Sequence, residues 1–257
     1  MVALLSEAGF DSFQETEAGL RAYGETDRDR EWRRELDAVA ARFSFTYTAE
    51  KLPERNWNEE WESQFPPLYV GDRLFIRADF HAPDPDVELE LVITPKMAFG
   101  TGHHATTYMM CELMFDLDFT GKRVLDYGSG TGVLAVLAKK LGGEDVDAVE
   151  VEGPAAENTL ENAERNVVRL KQVVHGTLAD LPAGPPYDVI LANINRNVIL
   201  ATAAELYDRL TGEGRILFSG ILAKDEALLL KELGEVGFEH LRTESREDWR
   251  AFVFAKD

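Results

Sequence analysis

Four times between Arg123 and Gly237 the sequence runs through a short apolar stretch and then a longer helical one. The pairs are "RVLDYG" with the helical run that begins at Val133, "VDAVEVE" with "PAAENTLENAERN", "YDVILANI" with "VILATAAELYDRL", and "GRILFSGIL" with "KDEALLLKELGEVG". A strand that returns to the same sheet through a helix must lie parallel to its predecessor, and the helices cover both faces. Strands buried on both sides read as continuous apolar runs, as these do. The chain closes on "FEHLRTES" and "RAFVFAKD" with only "REDW" between them, which requires an antiparallel hairpin. The expected fold is therefore α/β, a Rossmann-like, mostly parallel sheet with a reversed edge.

Ahead of this repeat the rhythm differs. "LYVGDRLFIRADF" and "VELELVITP" alternate like strands. Residues 1–55 read as a small α+β unit, with strand-like "GLRAYG", a charged helix over "DREWRRELDAVAARF" and strand-like "FSFTYTAE". Residues 56–67 read as a short helical linker whose Trp57 and Trp61, four apart, share a face. Three segments follow: an N-terminal domain over 1–55, the linker, and a main domain over 68–257.

Charge narrows the function. Acids outnumber bases 47 to 27, a formal net charge of −20. Proteins that wrap nucleic acid need clustered Lys and Arg to displace counterions, so direct nucleic-acid binding is not expected, and a basic partner protein is favoured. Cys111 is the single cysteine, which excludes an internal disulfide and suits a reducing cytoplasm. "MVALLSEAGF" has no cationic start and only a four-residue apolar run, so no signal peptide or membrane segment is expected.

The turn after "RVLDY" carries the chemistry. Asp126, Gly128, Gly130 and Gly132 form D-x-G-x-G-x-G. No Lys followed by Ser or Thr closes it, so it is not a P-loop, and Val133 stands where a dinucleotide fingerprint has its third small residue. The arrangement suits S-adenosylmethionine, whose carboxylate meets backbone N–H groups at a helix start while an acid such as Asp126 offsets its cationic end. Another nucleotide, or a purely structural turn, stays open on this motif alone. Glu150, 22 residues after Gly128, stands where a ribose expects a carboxylate, which supports adenosine without separating the cofactors. "FGTGHHATT" also contains G-x-G-x-x-A, but "PKMA" separates it from the preceding strand, so no tight turn forms there. Its adjacent His103 and His104 lack a Cys/His cluster, and no metal is expected. Asn193 ends the apolar run "YDVILAN" at the carboxyl edge of the sheet, where an amide can hold an incoming amine or simply turn the chain.

Taken together, "NWNEEW", "PKMAFGTGHHATT", "VLDYGSGTGVLA", "NTLENAERN", "YDVILANINRN" and "GRILFSGIL" resemble the ribosomal protein L11 methyltransferase family, in the family's order and over most of residues 56–222. The resemblance implies a class I methyltransferase fold, a seven-stranded sheet with an antiparallel last strand. It implies a small N-terminal domain that recognises the substrate, on a linker that lets it swing. It places the cofactor on Thr107, Gly128, Glu150 and Asn193, with Asp126 and Gly130 in the turn and Phe99 and Gly100 in an "FGTG" lid. Asn193 would position the amine and Thr107 would close over the methionine end. The implied reaction is N-methylation of lysine ε-amines and the N-terminal α-amine of ribosomal protein L11, with S-adenosylhomocysteine as product. A monomer is expected. Where the family usually has Asp, Glu150 and Glu152 stand here, and the N-terminal domain starts abruptly. The latter leaves a different protein or small amine as the alternative target, and a non-catalytic S-adenosylmethionine binder as the alternative class.

Overall fold

The computed structural model describes residues 5, 10, 12–16, 19–23, 29–43, 45–49, 66–94 and 104–256. The chain forms two compact units, Met1–Asn58 and Glu59–Asp257. Most of the 56–67 segment, including Trp57 and Trp61, lies outside the described residues.

In the first unit, strands β1 (Ser12–Thr16) and β2 (Gly19–Tyr23) pair antiparallel from Ser12 opposite Tyr23 to Thr16 opposite Gly19. Helix α1 (Asp29–Phe43) follows. Leu5, Phe10 and Leu36 are buried together, with Phe13, Leu20, Ala22 and Tyr47 packed on them. The sequence expectation of a strand in "FSFTYTAE" fails, because residues 45–49 have no regular structure. Aromatic and β-branched residues favour a strand only where an edge is available to pair. Here Tyr47 packs its ring on the small core and donates its hydroxyl to Asp37 Oδ1 at 2.6 Å.

The second unit begins with a three-stranded sheet. Strands β3 (Leu68–Val70) and β4 (Leu74–Arg77) are antiparallel, and β5 (Leu89–Val92) lies parallel to β4. Helix α2 (Ala105–Met114) leads into the main sheet. Its strands are β6 (Arg123–Tyr127), β7 (Asp145–Glu150), β8 (Gln172–His175), β9 (Tyr187–Asn193), β10 (Leu210–Leu222), β11 (Phe238–Arg246) and β12 (Trp249–Lys256). Between them run α3 (Val133–Lys140), α4 (Gly153–Arg165), α5 (Arg196–Arg209) and α6 (Glu226–Val236). The order across the sheet is β11-β12-β10-β9-β6-β7-β8. The last strand runs antiparallel to both neighbours, inserted between β10 and β11. This is the expected α/β sheet of seven strands with a reversed last strand. The four-residue β8 is an element that the sequence reading passed over.

Apolar side chains fill both faces. One core gathers Met109, Met110, Val133, Leu137 and Leu191, the other Ile190, Ile199, Leu229, Phe218, Phe252 and Phe254. Between β6 and β9 the connections leave the sheet in opposite directions. The carboxyl ends of these two strands therefore frame the crevice where open α/β sheets take their ligands.

Helix α4 ends in a motif with an ill-suited residue. Val168 N donates to Ala163 O (3.0 Å) and Val167 N to Glu164 O (2.9 Å), the paired bonds of a Schellman cap. Val167 takes the left-handed position at φ +54° and is 93% exposed. A β-branched residue there costs about 1–2 kcal/mol relative to one free of Cβ. Val167→Gly is expected to stabilise the protein by about 1 kcal/mol, read as a rise in the urea midpoint.

Candidate active site

The turn between β6 and α3 is built on left-handed backbone, with φ of +78° at Gly128, +56° at Gly130 and +79° at Gly132. Only glycine adopts this without penalty at three positions in five. Gly128 N and Ser129 N both donate to Val149 O, at 2.8 and 3.2 Å, fastening the turn to the end of β7. Glu150, the last residue of β7, reaches back across it. Its Oε2 accepts from Gly130 N at 2.8 Å and its Oε1 from Glu152 N at 3.0 Å. One backbone donor per oxygen fixes the carboxylate and leaves further lone pairs to accept from hydroxyls. Glu152 itself is exposed. From α4, Thr159 Oγ1 donates to Gly130 O at 3.0 Å and sits 2.9 Å from Ser129 Oγ.

Asp126 lies behind the turn. Its side chain is fully buried, and Oδ2 accepts from Ala135 N at 3.0 Å in the first turn of α3. Oδ1 has no hydrogen-bond partner. Burial pushes its carboxyl up to about 7, against the Ala135 bond, which lowers it, and with Glu150 adding to the rise. A native pKa above the ordinary 3.8 means that the native state holds its proton longer than the unfolded chain. The contribution to stability is complete below the unfolded value and is withdrawn as pH climbs through about 7. The loss is on the order of 4 kcal/mol. In Asp126→Asn this fall is expected to vanish, so urea midpoints on either side of that window should differ less than in the parent.

Across the crevice, α2 begins at His104, whose Nδ1 accepts from Thr106 N (3.3 Å) and sits 2.8 Å from Thr106 Oγ1. Its ring packs edge-on against Trp249 at 4.7 Å. One turn in, the fully buried Thr107 accepts from Asn193 Nδ2 at 3.0 Å. That bond aims the Asn193 amide and leaves its buried Oδ1 without a partner. Thr107 is thus a fixed part of the wall. Phe99 and Gly100, with the rest of "FGTG", lie outside the described residues.

The next residue, Ile194, is held from two sides. A Cβ on Gly128 would stand 2.3 Å from its Cγ2, and a Cβ on Gly220 (φ +88°) 2.3 Å from its carbonyl oxygen. The structure thus brings Gly128, Gly130, Glu150, Asn193 and Thr107 around one crevice, with Asp126 beneath. Sequence reasoning missed Thr159, Ile194 and Gly220. The polar run "NTLENAERN" signalled Thr159, but nothing local marked the other two.

The unpartnered Asn193 Oδ1, a glycine turn fastened to the strand end and a carboxylate at the tip of β7 fit a cationic nucleoside without phosphate. The fully buried Asp126 anchors the turn and does not offset the cationic end as the sequence suggested. Fold and crevice define a class I methyltransferase, for which S-adenosyl-L-methionine is the cofactor. A family model described as ribosomal protein L11 methyltransferase (PrmA) matches residues 6–257. A relative from Porphyromonas gingivalis named ribosomal protein L11 methyltransferase is 41% identical over 99% of this chain and 89% of its own length. One of the same name from Bacteroides fragilis is 35% identical over 99% of this chain and 92% of its own. A crystal structure of ribosomal protein L11 methylase from Lactobacillus delbrueckii subsp. bulgaricus superposes with a TM-score of 0.68. It covers 74% of this chain and 98% of that one at 24% identity. The chain belongs to the ribosomal protein L11 methyltransferase family.

Proposed function

We propose that this protein methylates amines of a basic protein, namely lysine ε-amines and the N-terminal α-amine of ribosomal protein L11. The observation that carries the reading is the unpartnered Oδ1 of Asn193, aimed by Thr107 at the carboxyl edge of the sheet. The names of the relatives supply the substrate.

When bound, S-adenosylmethionine supplies a methyl group already activated by its sulfonium. The remaining task of the protein is to align and deliver a neutral amine. Glu150 would accept from the ribose hydroxyls, and the positive end of the α3 dipole would favour the carboxylate. Asp126 keeps the turn in place from below. Asn193 Oδ1 accepts an N–H of the incoming amine, which points the nitrogen lone pair at the methyl. A lysine near pKa 10.4 must give up its proton first, at a cost of roughly 4 kcal/mol at neutral pH. A dry crevice lowers that cost by disfavouring the ammonium.

In this reading residues 1–55 recognise the substrate, 56–67 link the domains, and 68–257 bind cofactor and transfer the methyl. The protein acts as a cytoplasmic monomer, and its net charge of −20 draws the basic substrate in. Among the described residues no helix is long and apolar enough to cross a membrane. Incubation with methyl-labelled S-adenosylmethionine and a lysate lacking L11, with and without added L11, tests the proposal. Label is expected on the lysines and N-terminus of L11. Label on another protein would move the substrate, and no transfer despite tight S-adenosylhomocysteine binding would make the protein a binder.

A further inference from the structure

Asparagines stand at 158 and 162 within α4 and at 166, its C-cap, so they project from one face about 6 Å apart. Strand β5 and its continuation to Thr94 offer backbone groups on alternate residues, spaced about 6.6 Å. The two repeats nearly match, and the side chains serve as a neighbouring strand for the free edge of β5. Asn166 Oδ1 accepts from Val92 N (2.9 Å) while its Nδ2 donates to Val92 O (2.7 Å) and Asn162 O (2.7 Å). Asn162 Oδ1 accepts from Thr94 N at 3.0 Å, and Asn158 Nδ2 donates to Thr94 O at 3.0 Å.

Asn162 does something its neighbours on the ladder do not. Its Nδ2 donates to Thr131 O at 2.9 Å, inside the glycine turn. One fully buried amide therefore ties the tail of the small sheet to the loop that faces the cofactor. Arg165 Nη1, 3.4 Å from Oδ1, adds a second donor on the side of Thr94. A planar amide has fixed geometry, so the position of Thr94 sets where Thr131 O can lie. Gly130 and Gly132 flank that carbonyl with left-handed backbone; Glu150 and Thr159 hold the first and Ser129 O the second, and the Asn162 amide holds the carbonyl between them.

We propose that Asn162 is a positioning residue for cofactor binding: through its amide the β3–β4–β5 sheet holds the glycine turn in its binding shape. This rests on the reading that the crevice takes S-adenosylmethionine. Asn166 provides the matched control, since it is also buried on the same ladder but has no bond to the turn. Asn162→Asp keeps the acceptor for Thr94 and sets a carboxylate against Thr131 O. Asn166→Asp sets a carboxylate against Val92 O and Asn162 O, away from the turn.

Both variants are expected to lower the melting temperature by similar amounts. Calorimetry should show the Kd for S-adenosylhomocysteine rising about tenfold in Asn162→Asp and less than about twofold in Asn166→Asp. Hydrogen exchange at residues 130–133 should accelerate in the first variant alone. Unchanged affinity in Asn162→Asp, or an equal rise in both, would overturn the proposal. If the parent protein bound no S-adenosylhomocysteine, the cofactor reading would fall. The exchange comparison would then decide alone, with equal rates in the two variants overturning the positioning role. Should the buried charge block folding, Asn162→Ala against Asn166→Ala carries the same comparison.

Discussion

Asn193→Ala is expected to lower kcat about a hundredfold while changing the Kd for S-adenosylhomocysteine by less than about threefold. The asymmetry follows from the geometry. The Nδ2 group is already committed to Thr107, so truncation removes an acceptor that the resting protein does not use. An interaction made only with the arriving amine stabilises the transfer step and leaves the cofactor where it was. Thr107→Val keeps the bulk of the side chain but frees the amide to turn, and should give a smaller loss of the same kind. Steady-state methyl transfer alongside calorimetry separates the two quantities. Equal losses in kcat and affinity for Asn193→Ala would assign the side chain to the cofactor alone.

Gly220→Ala is expected to be the most damaging single methyl that can be added to this crevice. The new Cβ would lie 2.3 Å from the carbonyl oxygen of Ile194 and 2.9 Å from its carbonyl carbon, at a φ of +88°. A backbone carbonyl at the end of a central strand cannot rotate away. Overpacking and left-handed strain together cost about 2–5 kcal/mol, and any relief displaces Asn193, one residue back. Gly128→Ala makes the instructive contrast. Its Cβ meets a side-chain methyl of the same isoleucine at 2.3 Å. Ile194→Ala removes that methyl and should restore much of the stability lost in Gly128→Ala, while restoring none in Gly220→Ala. Urea denaturation of the four variants checks this, and rescue of both glycine substitutions would refute the account.

The sheet was legible because its strands are buried on both faces and its helices amphipathic, so their periods change visibly at each boundary. The glycine turn was legible because three left-handed residues in five leave no other choice of amino acid. The short β8, "QVVH", was not. Its four residues are only partly buried on an edge strand, and such a run carries little pattern. "FSFTYTAE" misled for the opposite reason, since its composition suits a strand but among the described residues no strand pairs with it. Glu150, Asn193 and Thr107 could be nominated from type and position. The bond that orients Asn193 spans 86 residues of sequence, and the squeeze on Ile194 comes from Gly128 and Gly220 together. Such relations exist only once the topology has brought distant segments into contact. The asparagine ladder is of the same kind, and reads locally as nothing more than a polar helix face.

Placing β12 between β10 and β11 has a consequence for synthesis. Strand β11 pairs with β12 alone, so it has no docking place until the segment that follows it has been made. Until β12 docks, the flank of β10 that it will cover stays bare, an invitation to mispairing with other chains. Residues 249–256 thus act as the closing piece of the barrier against aggregation. A chain cut shortly before Trp249 would be at its most vulnerable, with the crevice strands in place and the outer edge of β10 open.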